Sequence, residues 1–332
     1  MANNLVLRIL SAIILAPLVI YTLYLGGIYL QLLSLFCLFL MLYEWFSMNK
    51  VNAPILFVVG SVFTTTIALA NMCVYSARYI IYTLCLTLIY GILTISNQKR
   101  LIKILTGALL ALIAYMIIHM ILAPKPYGAP IKELMFFSTS TIIPIVLGHI
   151  ICKSQKEIAF FTTGIIYILT PMLYAIFKIA EEGADFLKIA IWILVVVWSC
   201  DIFAYFGGKL IGGAKLAPSI SPKKTWSGAI VSSVATLLIA FLIISKFIKI
   251  ETSYMLVVTV IMIIASILGD LLESKAKRML KVKDSGNIIP GHGGVLDRLD
   301  SLLMVIYVFV IAEVLWYFKL DLKMLLTPGK WI

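Results

Sequence analysis

Charged residues are scarce in this chain of 332 residues. Only 13% are Asp, Glu, Lys or Arg, against roughly 25% in soluble domains. Apolar residues make up 62% and the mean hydropathy is +1.09, whereas soluble domains average about 45–50% apolar residues. So few charges could not cover the surface of a water-soluble globule. This excludes that class and predicts a chain embedded in a lipid bilayer.

Cysteine and histidine are also few. The five cysteines mostly fall inside apolar runs and show no metal-ligand spacing, and His119 and His149 lie in apolar runs too. We interpret them as buried thiols and core imidazoles, and no Cys/His cluster predicts a zinc site. The net charge of +12 comes from Lys and Arg scattered between apolar runs, which favours membrane lipids over nucleic acid as the partner.

Long apolar runs dominate what is present. A bilayer-spanning helix needs about 20 mostly apolar residues, and this rule predicts an all-α, polytopic integral membrane bundle of about 9–11 transmembrane helices. We expect N-terminal transmembrane helices over 1–185 and a C-terminal region over 186–332 that carries the polar loops. The predicted spans lie near 5–25, 29–47, 55–72, 79–96, 102–122, 134–151, 158–177, 186–206, 228–248, 252–272 and 300–318.

The distribution of Lys and Arg predicts the orientation of the chain. With the N-terminus inside, most of the 27 basic residues fall on the inner side, and the acidic stretch 181–185 falls outside. This bias agrees with the positive-inside rule. It places the two longest polar loops, 207–227 and 273–299, on the same, cytoplasmic face of the membrane.

Acidic residues concentrate near the C-terminus. Asp270 and Glu273 are three residues apart at the end of one predicted span, and Asp297 and Asp300 have the same spacing at the start of the last one. This spacing places both members of a pair on one face of a helix. Carboxylates at one membrane depth suit Mg²⁺, which takes one or two of them plus substrate phosphates. Salt bridges in a solvated basic loop are the alternative interpretation.

A glycine-rich turn, 290–294, lies between these acid pairs. Glycine allows backbone N–H groups to approach an anion, and the start of a helix follows the turn. Because basic side chains surround it, the turn predicts a cradle for phosphate. For His292 within it, a turn-stabilising role and direct chemistry are both open. The neighbouring basic residues are Lys277, Arg278, Lys281, Lys283 and Arg298.

A second polar segment runs from Asp201 to Trp226. It contains paired glycines, two prolines, hydroxyl groups and paired lysines, and its groups suit phosphate oxygens. The glycine spacing before Lys224 and Thr225 does not match a Walker A loop. A plain basic connecting loop near lipid headgroups is the alternative.

These residues resemble the signature of the phosphatidate cytidylyltransferases, the CDP-diacylglycerol synthases. The resemblance is carried by Ser-Lys-Ala-Lys-Arg at 274–278, Lys-Asp-Ser-Gly at 283–286 and Pro-Gly-His-Gly-Gly-Val-Leu-Asp-Arg-Leu-Asp at 290–300. The upstream segment is similar to the family as well, except that Ser227 stands where the family usually has Glu. The resemblance covers roughly 195–305, and the chain looks longer than typical bacterial members.

The resemblance implies a reaction in which CTP and phosphatidate give CDP-diacylglycerol and pyrophosphate at a bacterial plasma (inner) membrane. It implies divalent-metal binding, by Mg²⁺, at Asp270 and Asp297. A second, monovalent cation and a homodimeric assembly are left open. The residues expected to act in catalysis are Asp270, Asp297, Lys277, Arg278, Lys283 and Arg298. The residues expected to contact substrate are Ser221, Lys223, Lys224, Thr225, Ser274, Asp284, His292, Gly293 and Gly294.

Two alternatives of other kinds remain. A CTP-dependent lipid kinase of the polyprenol or phytol type would use the same nucleotide with a lipid alcohol as the acceptor. A transporter would line a pathway with charges inside its spans, and Glu44, Asp201 and Glu313 are the main acids placed for that role. Labelled CTP distinguishes the kinase, and loss of nucleotide turnover on mutating Asp297 distinguishes the transporter.

Overall fold

The structure is a computed structural model that describes residues 2–50, 154–182, 184–244, 246 and 252–317. The predicted spans near 55–72, 79–96, 102–122 and 134–151 lie outside these residues. The helices described are α1 (Ala2–Leu25), α2 (Gly27–Met48), α3 (Gln155–Glu182), α4 (Ala184–Leu210), α5 (Trp226–Ile239), α6 (Thr252–Met279) and α7 (Leu296–Tyr317). The single π-helical turn, Ala240–Ile244, continues α5.

Five of the described helical segments are long and apolar enough to cross a membrane. They confirm the predicted all-α, polytopic membrane fold. The total number of spans and the division of the chain at residue 185 stay predictions. The five segments are Gly27–Met48, Ala159–Ile176, Phe186–Leu210, Trp226–Ile243 and Thr252–Met279.

The polar segment 207–227 contains a short β-hairpin. Strand β1 (Lys215–Ala217) pairs antiparallel with β2 (Ser221–Thr225), and the turn between them contains Pro218. The side chain of Thr225 then accepts a hydrogen bond from the backbone N–H of Gly228, 3.1 Å away, and so caps the start of α5. A hydroxyl at this position satisfies one of the unpaired N–H groups of the first helical turn.

The described residues fall into two compact units. One contains the described parts of Met1–Glu44 and Pro171–Ile332, and the other those of Trp45–Thr170. In the second unit, the indole N–H of Trp45 donates to the carbonyl of Phe161 at 3.2 Å. All the candidate site residues belong to the first unit.

In the first unit, α4 packs against α5 and α6 packs against α7. A buried hydrogen bond of 3.2 Å joins the indole of Trp192 on α4 to the hydroxyl of Thr259 on α6. At Gly269 the backbones of α6 and α7 approach so closely that a Cβ would lie 2.7 Å from the carbonyl oxygen of Asp300. This close contact sets the spacing between the two helices that carry the C-terminal acids.

Candidate functional site

Asp297 lies in the first turn of α7, and the loop before that helix holds its carboxylate. The backbone N–H of Ser285 donates to its two oxygens at 3.1 and 2.9 Å, and the N–H of Gly294 donates to Oδ2 at 2.8 Å. Burial would raise the pKa of the Asp297 carboxyl, but the hydrogen bonds from Lys277, Gly294 and Ser285 outweigh it. The pKa therefore lies below its ordinary value. The helix dipole also stabilises the negative charge of a carboxylate at the N-terminus of a helix.

Lys277, near the end of α6, pairs with two carboxylates at once. Its Nζ lies 2.5 Å from Asp297 Oδ1 and 2.5 Å from Glu273 Oε2. The side chains of all three are largely buried, with 11% exposure for Lys277, 6% for Asp297 and 4% for Glu273. Apart from this ion pair, neither oxygen of Glu273 accepts a hydrogen bond from the residues described. The pairing sets two buried carboxyl groups against one ammonium group.

The glycine-rich turn before α7 is folded back on itself. The backbone N–H of Ile289 donates to the carbonyl of Gly293 at 2.9 Å, and Gly293 has a φ of +88°. A Cβ on Gly293 would lie 2.7 Å from Asp297 Oδ2, so glycine is required here both for backbone conformation and for space. The guanidinium of Arg298 donates to the carbonyl of His292 at 3.0 and 3.3 Å.

The imidazole of His292 also makes a contact of its own. Its Nδ1 lies 2.6 Å from the hydroxyl of Ser11 on α1. His292 therefore stabilises the turn through both its ring and its carbonyl, which is one of the two roles that the sequence left open. Its predicted contact with substrate stays a prediction.

The two polar segments meet at Asp270. The ammonium of Lys224, on strand β2, forms an ion pair with Asp270 on α6, and the hydroxyl of Ser274 lies 3.3 Å from the same carboxylate. Asp201 on α4 interacts electrostatically with both members of that ion pair and with Arg298. The structure thus brings Lys224 of one segment against Asp270 of the other, with Ser274 beside it.

Thr225 and Ser227 act inside the hairpin segment. Thr225 is 5% exposed and caps α5. The hydroxyl of Ser227 lies 3.0 Å from that of Thr225 and donates a short hydrogen bond to the carbonyl of Gly212. The residue that departs from the family pattern thus closes the base of the hairpin in this chain.

The remaining predicted residues are more exposed than this buried group. The side chain of Arg278 is exposed and donates to the carbonyl of Val282 at 3.1 Å. Ser221 is half-buried, whereas Lys223, Lys283 and Asp284 are exposed. Their predicted contacts with phosphate stay predictions.

Carboxyl groups, the oxygen ligands that a hard cation prefers, lie close to one another at this site. Asp300, only 8% exposed, interacts electrostatically with Asp201, Asp270 and Glu273. Within the residues described, no three Asp, Glu, His or Cys side chains form a complete metal cage. A pair of carboxylates that relies on substrate phosphates for its remaining ligands is the arrangement Mg²⁺ uses.

Glu44 joins the site although the sequence did not assign it there. It lies on α2, is 1% exposed, and accepts hydrogen bonds from the hydroxyl of Ser285 and the N–H groups of Val295 and Leu296, at 3.0, 2.8 and 2.8 Å. The available signal was an acid inside an apolar helix. What the sequence lacked was any indication of which loop that acid would meet.

Comparison with known proteins identifies the chain's relatives. The family model described as the cytidylyltransferase family matches residues 6–316. A phosphatidate cytidylyltransferase of Rickettsia bellii (strain RML369-C) is 41% identical over 158 residues, which are 46% of this chain and 68% of the relative. That of Bacillus subtilis (strain 168) is 35% identical over 223 residues, 65% of this chain and 82% of the relative.

A third relative matches over a shorter stretch. The phosphatidate cytidylyltransferase of Brucella abortus biovar 1 (strain 9-941) is 47% identical over 113 residues, 34% of this chain and 42% of the relative. In all three matches the aligned stretch is a smaller share of this chain than of the relative, so this chain is the longer one. This agrees with the length expected from the resemblance.

Proposed function

The chain belongs to the cytidylyltransferase family, and we propose that it transfers CMP from CTP to phosphatidate, giving CDP-diacylglycerol and pyrophosphate. The observation that carries the proposal is the meeting of the two polar segments at the ends of apolar helices. There Lys224 pairs with Asp270, and Lys277 pairs with Glu273 and Asp297. This reaction serves phospholipid biosynthesis.

The reaction joins two anions. An oxygen of the phosphatidate phosphate forms a bond to the α-phosphorus of CTP, and the bond from that phosphorus to the β-phosphate oxygen breaks, so that pyrophosphate leaves. Catalysis of such transfers is largely positioning and neutralisation of charge. Lys224 and Lys277 hold ammonium groups against carboxylates, and these groups can exchange a carboxylate for a phosphate oxygen. Arg278, Lys283 and Arg298 provide further positive charge at the exposed rim.

We assign the divalent cation, Mg²⁺, to Asp270 and Asp297. Both are hard oxygen donors, and both are neutralised by a lysine ammonium in the structure, which supports a need for positive charge at each. Bound there, Mg²⁺ would supply charge neutralisation of the CTP phosphates. A second, monovalent cation stays a prediction.

The position of the site suits a lipid substrate. Asp270 lies on a helix long and apolar enough to cross a membrane, nine residues before that helix ends at Met279. A diacyl lipid keeps its chains in the bilayer and its phosphate at the headgroup depth, where such helix ends lie. The distribution of Lys and Arg supports a cytoplasmic site at a bacterial plasma membrane. A homodimeric assembly stays a prediction.

A direct assay tests the proposal. The purified protein in detergent is given CTP with phosphatidate, diacylglycerol or polyprenol, with and without EDTA. We expect CDP-diacylglycerol and pyrophosphate with phosphatidate only, and loss of the product with EDTA that excess Mg²⁺ reverses. Product from diacylglycerol or polyprenol in place of phosphatidate would contradict the proposed acceptor. Activity that persists in EDTA would contradict the metal assignment alone.

A further inference from the structure

The carboxylate of Glu44 is enclosed by the loop that precedes α7. Besides the three hydrogen bonds that it accepts, its oxygens face two glycines. A Cβ on Gly286 would lie 2.8 Å from Glu44 Oε1, and a Cβ on Gly294 would lie 2.5 Å from Oε2. Both glycines therefore leave the space that the carboxylate fills. Such enclosure is specific to a side chain of this length and shape.

Glu44 and Asp297 share their partners. The Oγ of Ser285 donates to Glu44 while its backbone N–H donates to Asp297. Gly294 donates its N–H to Asp297, and the next two N–H groups along the chain, those of Val295 and Leu296, donate to Glu44. The two carboxylates thus accept different hydrogen bonds from the same short segments, residue 285 and residues 294–296.

The three hydrogen bonds that Glu44 makes within the described residues are all donated to it. An ionised carboxylate accepts hydrogen bonds and donates none, and it suits the unpaired N–H groups and the positive end of a helix. Glu44 therefore acts as a cap for α7 that is supplied by a helix more than 200 residues earlier in the chain. Among the described residues, the donors that Glu44 meets are a hydroxyl and backbone N–H groups rather than a basic side chain.

We infer that Glu44 is a positioning residue for the proposed transfer reaction: it fixes the loop before α7 so that Asp297 keeps its orientation towards Lys277. The inference rests on the proposed function. Glu44 acts through Ser285 and the backbone N–H groups at 294–296 rather than by direct contact with the nucleotide or the lipid.

The variant Glu44→Gln tests the inference. Glutamine keeps the shape of the side chain, but its NH₂ group must face the backbone N–H of Val295 or of Leu296. Two hydrogen-bond donors then face each other. We expect kcat with CTP and phosphatidate to fall about 10–100-fold, as for other residues that support a ligand from behind. We also expect CTP with Mg²⁺ to raise the melting temperature of this variant much less than that of the wild type.

The matched control is Gln31→Leu on the same helix. The amide of Gln31 donates to the carbonyl of Ile176 at 3.3 Å, so this change removes a polar contact of α2 that does not involve the loop. Its kcat and its CTP-induced rise in melting temperature are expected to equal those of the wild type. Equal losses in both variants would show a general loosening of α2 and would overturn the positioning role.

Ser285→Ala is the second arm. It removes the hydroxyl that bonds to Glu44 but keeps the N–H that bonds to Asp297. We expect a smaller fall in kcat, because the two backbone N–H groups still hold Glu44, and a less than additive fall when it is combined with Glu44→Gln, because both changes act on the same carboxylate. If Glu44→Gln does not fold, this arm decides. The inference is overturned if the variant that can be purified is folded and keeps both kcat and the CTP-induced rise in melting temperature within about twofold of the wild type. A wild-type protein inactive with phosphatidate would instead count against the proposed function.

Discussion

The ammonium of Lys277 lies 2.5 Å from Oδ1 of Asp297, although the two residues belong to different helices. This contact joins the end of α6 to the start of α7. It also brings positive charge to a carboxylate that two backbone N–H groups already hold in place. The proposed catalysis depends on this pair, because Asp297 is assigned to the cation and Lys277 to the phosphates.

Replacing Lys277 by Met tests the pair. Glu273 and Asp297 would then face each other without their shared cation, and breaking a buried ion pair costs roughly 3–5 kcal/mol. We expect a clearly lower melting temperature in detergent and a fall in kcat of about 100–1,000-fold, as for other groups that stabilise developing charge. Lys275→Met, at an exposed position on the same helix, is the control and is expected to keep its melting temperature.

Adding Glu273→Gln to the Lys277→Met variant separates stability from catalysis. The second change removes one of the uncompensated carboxylates. We therefore expect it to restore part of the melting temperature but not kcat. Recovery of kcat along with stability would show that Lys277 only balances Glu273 and has no role with the phosphates.

Replacing Asp297 by Asn is expected to abolish formation of CDP-diacylglycerol while the protein still inserts into the membrane. The amide keeps the size of the side chain but loses the charge that Lys277 and the cation require. Chromatographic analysis of the product from purified variants measures this. Glu157→Gln is the control, because Glu157 is exposed at the start of α3 and Ser154 pairs with it in a capping arrangement that Gln retains. Near-wild-type activity of the Asn variant would refute the assignment.

The pH dependence of stability provides an independent test of the same residue. The pKa of Asp297 is lowered in the folded protein, so folding favours its ionised form. Its contribution is present in full above the pKa of the unfolded chain, about 3.9, and is lost as the pH falls through the lower folded value. The melting temperatures of the wild type and Asp297→Asn should therefore converge below about pH 4. A difference that stays constant as the pH falls well below 4 would contradict the lowered pKa.

Ser227 predicts how this chain responds to the usual family residue. Its hydroxyl donates to the carbonyl of Gly212, and an ionised Glu cannot donate. We expect Ser227→Glu to lose that hydrogen bond, which is worth about 1 kcal/mol, and to lower the melting temperature and kcat rather than raise them. The control is Ser233→Ala, since the hydroxyl of Ser233 bonds only within α5, to the carbonyl of Ala229 at 2.8 Å. Increased activity in Ser227→Glu would contradict the structural role of the hydroxyl.

The sequence predicted the apolar helices well because their signal is local. The span expected at 29–47 corresponds to α2, Gly27–Met48, and the one at 186–206 to α4, Ala184–Leu210. Helix ends were harder to predict. The polar residues after 272 continue α6 to Met279, since Lys and Glu favour a helix as readily as a loop.

The parts of the site that depend on distant packing could not be predicted. The β1–β2 hairpin has short strands rich in lysine and proline, which lack the alternation that indicates a strand. The pairing of Lys224 with Asp270 and the capping of α7 by Glu44 join residues far apart in the chain. The family pattern identified Asp270 and Lys224 individually, whereas only the folded chain brings them together.

The fate of the CTP phosphates shows whether the protein transfers CMP or a single phosphate to the lipid. The purified protein is incubated with phosphatidate and CTP that carries radioactive phosphorus at either the α- or the γ-phosphate, and the lipid is then extracted. The account predicts that the α-label enters the lipid and that the γ-label leaves as pyrophosphate in the aqueous phase. Label from the γ-phosphate in the lipid, with none from the α-phosphate, would identify a kinase and contradict the account.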